Sequence, residues 1–161
     1  MFGFGRKKEL TDDQKLYAPV SGEVVKLDTV SDPIFAKKIM GDGFAIEPND
    51  GKIVSPVAGK VIVKQGHAIG FKRIDGLEVL LHLGIDTVSL NGAPFALKVS
   101  IGDIVEAGDD LGKADWAQVE AAGLPKTTMV LITNTADKLA DLTVKYGQIP
   151  AGSAVGDAHA K

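Results

Sequence analysis

The stretch HAIGFKRIDGLEVLLHLGIDT (67–87) decides the fold. Two apolar runs flank Asp75-Gly76, a dipeptide that signals a tight β-hairpin because both residues tolerate the positive φ such turns need. In the second run, strand alternation places Val79, Leu81, Leu83 and Ile85 on one face and Leu80, His82 and Gly84 on the other. The first face reads as core. The second carries a histidine beside a residue with no side chain, which leaves room next to the ring. In the first run His67, Ile69 and Phe71 share a face. With Asp75 and Gly76 as the two loop residues, Ile74 faces Leu77 and His82 faces Ile69. His67 then lies diagonally across, about 7 Å away at the Cβ atoms. The register predicts two imidazoles that meet.

Outward from this hairpin the chain keeps the same texture. Short β-type runs are cut at close intervals by Gly, Pro, Asp and Asn, with 19 Gly and 7 Pro in 161 residues. That pattern predicts an all-β antiparallel sandwich with a few short helical turns. Strands are expected at 22–27, 43–47, 59–64, 67–74, 77–83, 96–99, 109–114 and 128–133. Helical turns are expected in DPIFAKKIMG, with Asp32 as N-cap, Pro33 next and Gly41 as stop; in DWAQVEAAG, with Asp115 and Gln118 as a capping-box-like pair; and from Thr135 in TADKLADL. APVSGEVV (18–25) returns as SPVAGKVI (55–62), which suggests two similar halves about a pseudo-twofold axis. VSIGDIVEAGDDLG (99–112) resembles the turns of biotinyl and lipoyl carrier domains, so a non-catalytic β-rich binding or carrier module stands as the alternative. The lysine those domains modify, with its flanking Met at a hairpin tip, has no counterpart here.

Composition narrows the function. Lys and Arg number 18 against 21 Asp and Glu, a formal charge of −3 with mixed signs, so no nucleic-acid partner is expected. With no cysteine, disulfides, thiolate chemistry and Cys-based zinc sites are excluded. No apolar run reaches the roughly 18 to 20 residues of a membrane span, and MFGFGRKKEL has the wrong charge order for a secretory leader. A cytoplasmic protein is expected. Phe2 and Phe4 ahead of Arg6, Lys7 and Lys8 suit at most a weak contact with an anionic membrane surface. The domain is expected over 17–150, between a flexible tail at 1–16 and a loosely ordered end at 151–161.

Of the three histidines, His159 lies near the chain end among small residues and is expected to do nothing. A converging pair such as His67 and His82 binds a metal, trades protons or handles phosphate. Neither the H-x-x-x-D nor the H-x-H motif of lysostaphin-like zinc peptidases is present, since Phe71 and Gly84 stand at the required positions. No nucleophile-elbow sequence supports a serine hydrolase.

The stretch GLEVLLHLGIDTV (76–88) resembles the active-site signature of the glucose-type enzyme IIA family of the bacterial phosphoenolpyruvate-dependent sugar phosphotransferase system, through Gly76, His82, Gly84, Ile85 and Thr87. APVSGEVV, FAKKIMGDGFAI, SPVAGKV and the His67-Ala68 pair extend the resemblance over roughly 17–150. It implies a phosphoryl relay on an antiparallel β-sandwich, with HPr as donor and a cysteine of an enzyme IIB domain as acceptor. His82 would take the phosphoryl group on Nε2, its Nδ1–H held by a carbonyl near Gly84, and His67 would hydrogen-bond the phosphoryl oxygens. Gly84 and Thr87 would support the site, and so would Gln65, which stands where the family often has Thr. Asp32, Phe35, Ile39 and Asp86 would line the partner surface, with Phe35 and Ile39 on one helical side. No cofactor is required; a zinc ion shared by His67, His82 and a partner's carboxylate is conditional. Regulatory targets such as permeases rest on the resemblance alone. Nothing in the chain specifies the sugar, or decides between a stand-alone protein and a piece of a fused transporter.

Overall fold

The structure, a computed structural model, describes residues 9–161. The expected contacts of Phe2, Phe4 and Arg6–Lys8 therefore lie outside the described residues. The strands are β1 (Lys15–Tyr17), β2 (Gly22–Lys26), β3 (Asp42–Pro48), β4 (Lys52–Val54), β5 (Gly59–Lys64), β6 (Ala68–Lys72), β7 (Glu78–His82), β8 (Phe95–Leu97), β9 (Ile104–Val105), β10 (Asp110–Ala114), β11 (Thr128–Ile132), β12 (Leu139–Val144), β13 (Gly147–Ile149) and β14 (Ala154–Ala160). Short helices α1 (Pro33–Ala36), α2 (Trp116–Ala121) and α3 (Thr135–Lys138) join them, with 3-10 turns at Leu27–Thr29 and Thr87–Leu90. Each strand and helical turn expected from the sequence is present, and every strand pairing is antiparallel.

An eight-stranded sheet runs β13-β2-β3-β11-β7-β6-β5-β9, and two three-stranded sheets, β1-β14-β12 and β4-β10-β8, pack with it. The main core joins all three: Leu16 and Val155 from one small sheet, Ile53 and Leu111 from the other, and Phe44, Ile46, Phe71, Val79, Leu81 and Val130 from the large one. The order of the large sheet reads alike from both ends, with β11 and β7 at its centre. Matched bonds support the pseudo-twofold relation at the two Pro-x-x-Gly copies. Tyr17 N–H donates to the Pro56 carbonyl at 2.9 Å as Val54 N–H does to Pro19 at 2.8 Å, and Ala18 donates to Ser153 at 2.9 Å as Ser55 does to Asp109 at 2.8 Å. SIGD and EAGD within 99–112 each form a turn closed by an aspartate: Asp103 accepts from the Ser100 amide and Asp109 from the Glu106 amide, both at 2.9 Å. Repeated turn chemistry thus accounts for the carrier-domain likeness.

The central hairpin differs from expectation by one residue. Arg73 N–H donates to the Leu77 carbonyl at 2.9 Å, so Ile74, Asp75 and Gly76 form a three-residue loop, and His82 faces Ala68 rather than Ile69. Gly76 takes the positive φ of 93° that such a loop requires at its last position. The register follows from Arg73, whose guanidinium is buried. It donates through Nε to Asp75 Oδ1 at 3.1 Å and through Nη2 to Asp75 Oδ2, while Nη2 also reaches the Ala158 carbonyl at 2.8 Å and Nη1 the Gln14 carbonyl at 3.5 Å. A buried charge must be fully paired, and with Ile74 taken into the loop Arg73 becomes its closing residue, two positions from the Asp75 carboxylate that pairs with it.

Two expectations about the ends are corrected. Residues 151–161 are not a loose end: β14 is the middle strand of its sheet, with Val155 and Ala158 fully buried. The tail likewise stops short of residue 16, because Leu16 on β1 is fully buried and Lys15 pairs with Asp157. His159 is also engaged, its Nδ1 lying 2.5 Å from Asp141 Oδ1 on β12.

Candidate active site

Alternation along β7 holds as far as His82. Val79 and Leu81 face the main core, while Leu80 packs on a second cluster made by Leu27, Val30, Phe35, Ala45, Ile85, Met129 and Leu131. The face carrying His82 therefore has a small core of its own. Beyond His82 the strand ends, and Gly84 at φ 77° turns Ile85 out of the main core into this second cluster, against the expected alternation.

His67 and His82 meet. Their ring centroids are 4.9 Å apart with the planes at 78°, and His67 is buried at 8% exposure beside the half-buried His82. His67 sits just before β6, and its carbonyl accepts the Leu83 N–H at 2.9 Å, so main-chain pairing delivers the contact. His82 Nδ1 lies 2.7 Å from the Gly84 carbonyl. A carbonyl only accepts, so Nδ1 carries the proton and Nε2 keeps its lone pair. Burial pushes His82 below the ordinary histidine value, with His67 adding to the effect; the Gly84 carbonyl, Asp32 and Asp86 pull the other way. Burial lowers His67 as well. Both rings are thus held neutral near pH 7.

The room beside Gly84 is already filled. A Cβ there would lie 2.5 Å from Thr87 Cγ2 and 3.2 Å from the Pro125 carbonyl oxygen. Gly84 lets those groups close on the loop rather than opening the ring to partners. Thr87, fully buried, donates its hydroxyl to the Leu83 carbonyl, which ties the loop after β7. Gln65 is exposed in the turn before His67, where its N–H donates to the Ala68 carbonyl at 2.8 Å; among the described residues no hydrogen bond joins its side chain to His67.

The expected partner residues separate. Asp32 caps α1, accepting the Ile34 N–H at 2.9 Å. Phe35 is buried at 8% exposure with its ring 5.0 Å from that of His82, so it supports the imidazole instead of facing a partner. The helix ends too early to place Ile39 beside it. Lys38 adopts a left-handed conformation at φ 62°, and Ile39 N–H bonds back to the Ile34 carbonyl at 3.1 Å, the Schellman closure. The stop is therefore Lys38 rather than Gly41. Ile39 is 68% exposed and lies with exposed Ile34 and Met40. Asp86 is exposed at φ 61°, two residues before exposed Val88. The sequence reading missed Ile34, Val88 and the Pro125 carbonyl. Apolar residues in short turns carry no periodicity that would mark them as rim, and a main-chain carbonyl has no sequence signal.

Comparison with known proteins bears on what this site serves. Residues 14–138 match the family model described as phosphoenolpyruvate-dependent sugar phosphotransferase system, EIIA 1. The chain belongs to that family. It is 43% identical over 143 residues to the glucose-specific EIIA component of Staphylococcus aureus, an overlap covering 88% of this chain and 86% of that protein. It is 47% identical over 151 residues to the glucose-specific EIICBA component of Streptococcus pneumoniae, covering 92% of this chain and 20% of that longer protein. Among solved structures, glucose permease IIA from Mycoplasma capricolum matches with a TM-score of 0.78 at 35% identity, over 88% of this chain and 93% of that one. The antiparallel β-sandwich is thus the fold of the EIIA 1 family, and the chain is a phosphoryl-carrying component of the phosphotransferase system. This displaces the carrier-module alternative. No described helix is long and apolar enough to cross a membrane.

Proposed function

We propose that His82 is the phosphoryl carrier, charged by the phosphohistidine of HPr and discharged to a cysteine of an enzyme IIB domain. The observation that carries this reading is the 2.7 Å contact between His82 Nδ1 and the Gly84 carbonyl, which leaves Nε2 as the nucleophile. In the first transfer the bond from phosphorus to the donor nitrogen breaks as the bond to Nε2 forms. In the second, the Nε2–phosphorus bond breaks as the cysteine sulfur attacks. Nδ1 keeps its proton throughout, so neither step waits on a proton transfer within the ring. The Gly84 carbonyl stabilises the positive charge the ring acquires while phosphorylated. His67, edge-on to His82, donates a hydrogen bond to the phosphoryl oxygens, the kind of positioning and charge stabilisation on which phosphoryl transfer depends.

Exposed Ile34, Ile39 and Met40, flanking the Phe35 that packs on His82, and exposed Val88 near His67 offer both partners an apolar surface, with Asp32 and Asp86 as acidic groups near His82. The relatives' names support glucose as the sugar. A zinc ion shared by His67, His82 and a partner's carboxylate stays conditional on that partner. Two imidazoles supply half of a tetrahedral shell, and among the described residues no group of three metal-ligating side chains forms, so an ion here would take its remaining ligands from a partner.

The test is incubation with phosphoenolpyruvate, enzyme I and HPr, followed by intact mass. An acid-labile, base-stable phosphoryl adduct is expected, absent in His82→Ala; His67→Gln should accept phosphate but fail to pass it on. No adduct while HPr is charged refutes the carrier role of His82, and normal onward transfer by His67→Gln refutes the role of His67.

A further inference from the structure

The segment Leu124–Thr127, between α2 and β11, holds no group that the relay uses, yet it is tied down on every side. Leu124 N–H donates to the Val119 carbonyl at 3.1 Å, Lys126 Nζ lies 3.7 Å from Glu120 Oε2, and Thr127 donates its hydroxyl to Glu47 Oε2 on β3 at 2.6 Å. Thr127 is 7% exposed, and its pairing with Glu47 continues the β3–β11 register by one rung beyond Thr128 and Ile46. Held between these anchors is the Pro125 carbonyl, which accepts the Ile85 N–H at 3.1 Å.

That N–H shares a peptide unit with the Gly84 carbonyl. In a planar trans peptide the N–H and C=O point in opposite directions. Fixing the Ile85 N–H on Pro125 therefore aims the Gly84 C=O away from the 124–127 segment and onto His82 Nδ1, where it is found at 2.7 Å. The same donor bond polarises the peptide and strengthens its carbonyl as an acceptor. The connection runs from Glu47 through Thr127 to the Pro125 carbonyl, across one peptide plane, and to the imidazole. Glu47 also faces Glu23 across the β2–β3 ladder, a like-charge pairing that sheet packing alone disfavours and that the Thr127 hydroxyl offsets.

We propose that Thr127 and Glu47 are positioning residues that set the tautomer of His82 through the Gly84–Ile85 peptide. The proposal rests on His82 as phosphoryl acceptor for its kinetic consequence, but the tautomer itself is read on the unphosphorylated protein. In the intact chain, 15N NMR of the His82 ring should show Nδ1 protonated and Nε2 bare. Thr127→Val, close to isosteric but without the hydroxyl, and Glu47→Ala should both mix the two tautomers. Each should also slow phosphoryl acceptance from HPr by about three- to tenfold, the size of one net hydrogen bond. Thr127→Ser and Glu47→Gln, which keep a donor and an acceptor oxygen, should restore both readouts. An unchanged tautomer in Thr127→Val and Glu47→Ala overturns the proposal, and so does a slowed acceptance with the tautomer intact, or failure of Thr127→Ser to rescue. If wild-type His82 takes no phosphate while the variants still shift its tautomer, the carrier reading fails and the positioning role stands.

Discussion

Phe35→Ala tests the idea that the small second core exists to govern the His82 imidazole. Phe35 is 8% exposed and tilted 53° against the His82 ring at 5.0 Å, so its removal admits water to the face of the imidazole. Truncating a buried Phe costs about 3 to 5 kcal/mol; the low end applies here because the cluster is small and Phe35 lies on a short helix at its margin. A domain stable by roughly 5 to 15 kcal/mol remains folded after such a loss. Burial is the main cause of the lowered His82 value, so the variant should titrate closer to the ordinary histidine value. A ring titrating at about 6.5 is roughly one-quarter neutral at pH 6, so acceptance from HPr should fall by as much as about fourfold there and hardly at all near pH 8. The assay is an NMR titration of the His82 ring beside phosphorylation rates at the two pH values, with Phe35→Leu expected to fall between. A folded variant whose His82 titrates at the wild-type midpoint refutes the reasoning.

Deleting residues 154–161 removes β14 with its buried Val155 and Ala158, uncovers Leu16, and takes one carbonyl from Arg73. The loss should be at least about 4 kcal/mol, seen as a large drop in Tm; an unchanged Tm contradicts the role given to this strand. Asp75→Ala leaves a guanidinium 1% exposed with carbonyls alone. Because Asp75 is itself 17% exposed, a cost of about 2 to 4 kcal/mol is expected from urea denaturation, below the usual range for breaking a buried pair, and a loss under about 0.5 kcal/mol speaks against the clamp. Burial lowers both His67 and His82 in the folded state, so below about pH 6.5 the unfolded chain binds more protons. Their contribution to stability is present above that pH and lost as pH falls through the folded values. Urea midpoints should therefore drop on acidification, less steeply in His67→Gln, and an identical slope in that variant contradicts the assignment.

The fold was legible where a strand's own side chains demand burial. EVLLHL shows it by alternation, and DGFAI and TTMVLI by short apolar runs whose two faces pack on the two clusters. AVGDAHA does not, since its buried residues are one Val and one Ala, and it is held by main-chain pairing to nearby β12 and to β1 from the far end of the chain. The meeting of the histidines was readable although its supposed register was off by one. A diagonal contact survives a one-residue shift when His67 lies outside the regular strand. The loop itself was misjudged because Asp75-Gly76 looks like a complete two-residue turn, and its partner Arg73 reads as an exposed strand end until Gln14 and Ala158 arrive to bury it. Phe35 and the Pro125 carbonyl could not be placed from local sequence, because one lies between core and rim and the other is main chain.

The Arg73 clamp also fixes the direction from which the domain is held. Gln14 and Ala158 meet at Arg73, and the Lys161 N–H closes on the Lys138 carbonyl beside the same hairpin tip. His82 stands six residues along the strand from Gly76, about 20 Å away at strand rise. A tether joined near Gln14 or at Lys161 would thus grip the domain by the pole away from His82. A domain held there would swing as a head, presenting its His82 face while the anchor stays clear of it, and the tether length would then set the local concentration of that face.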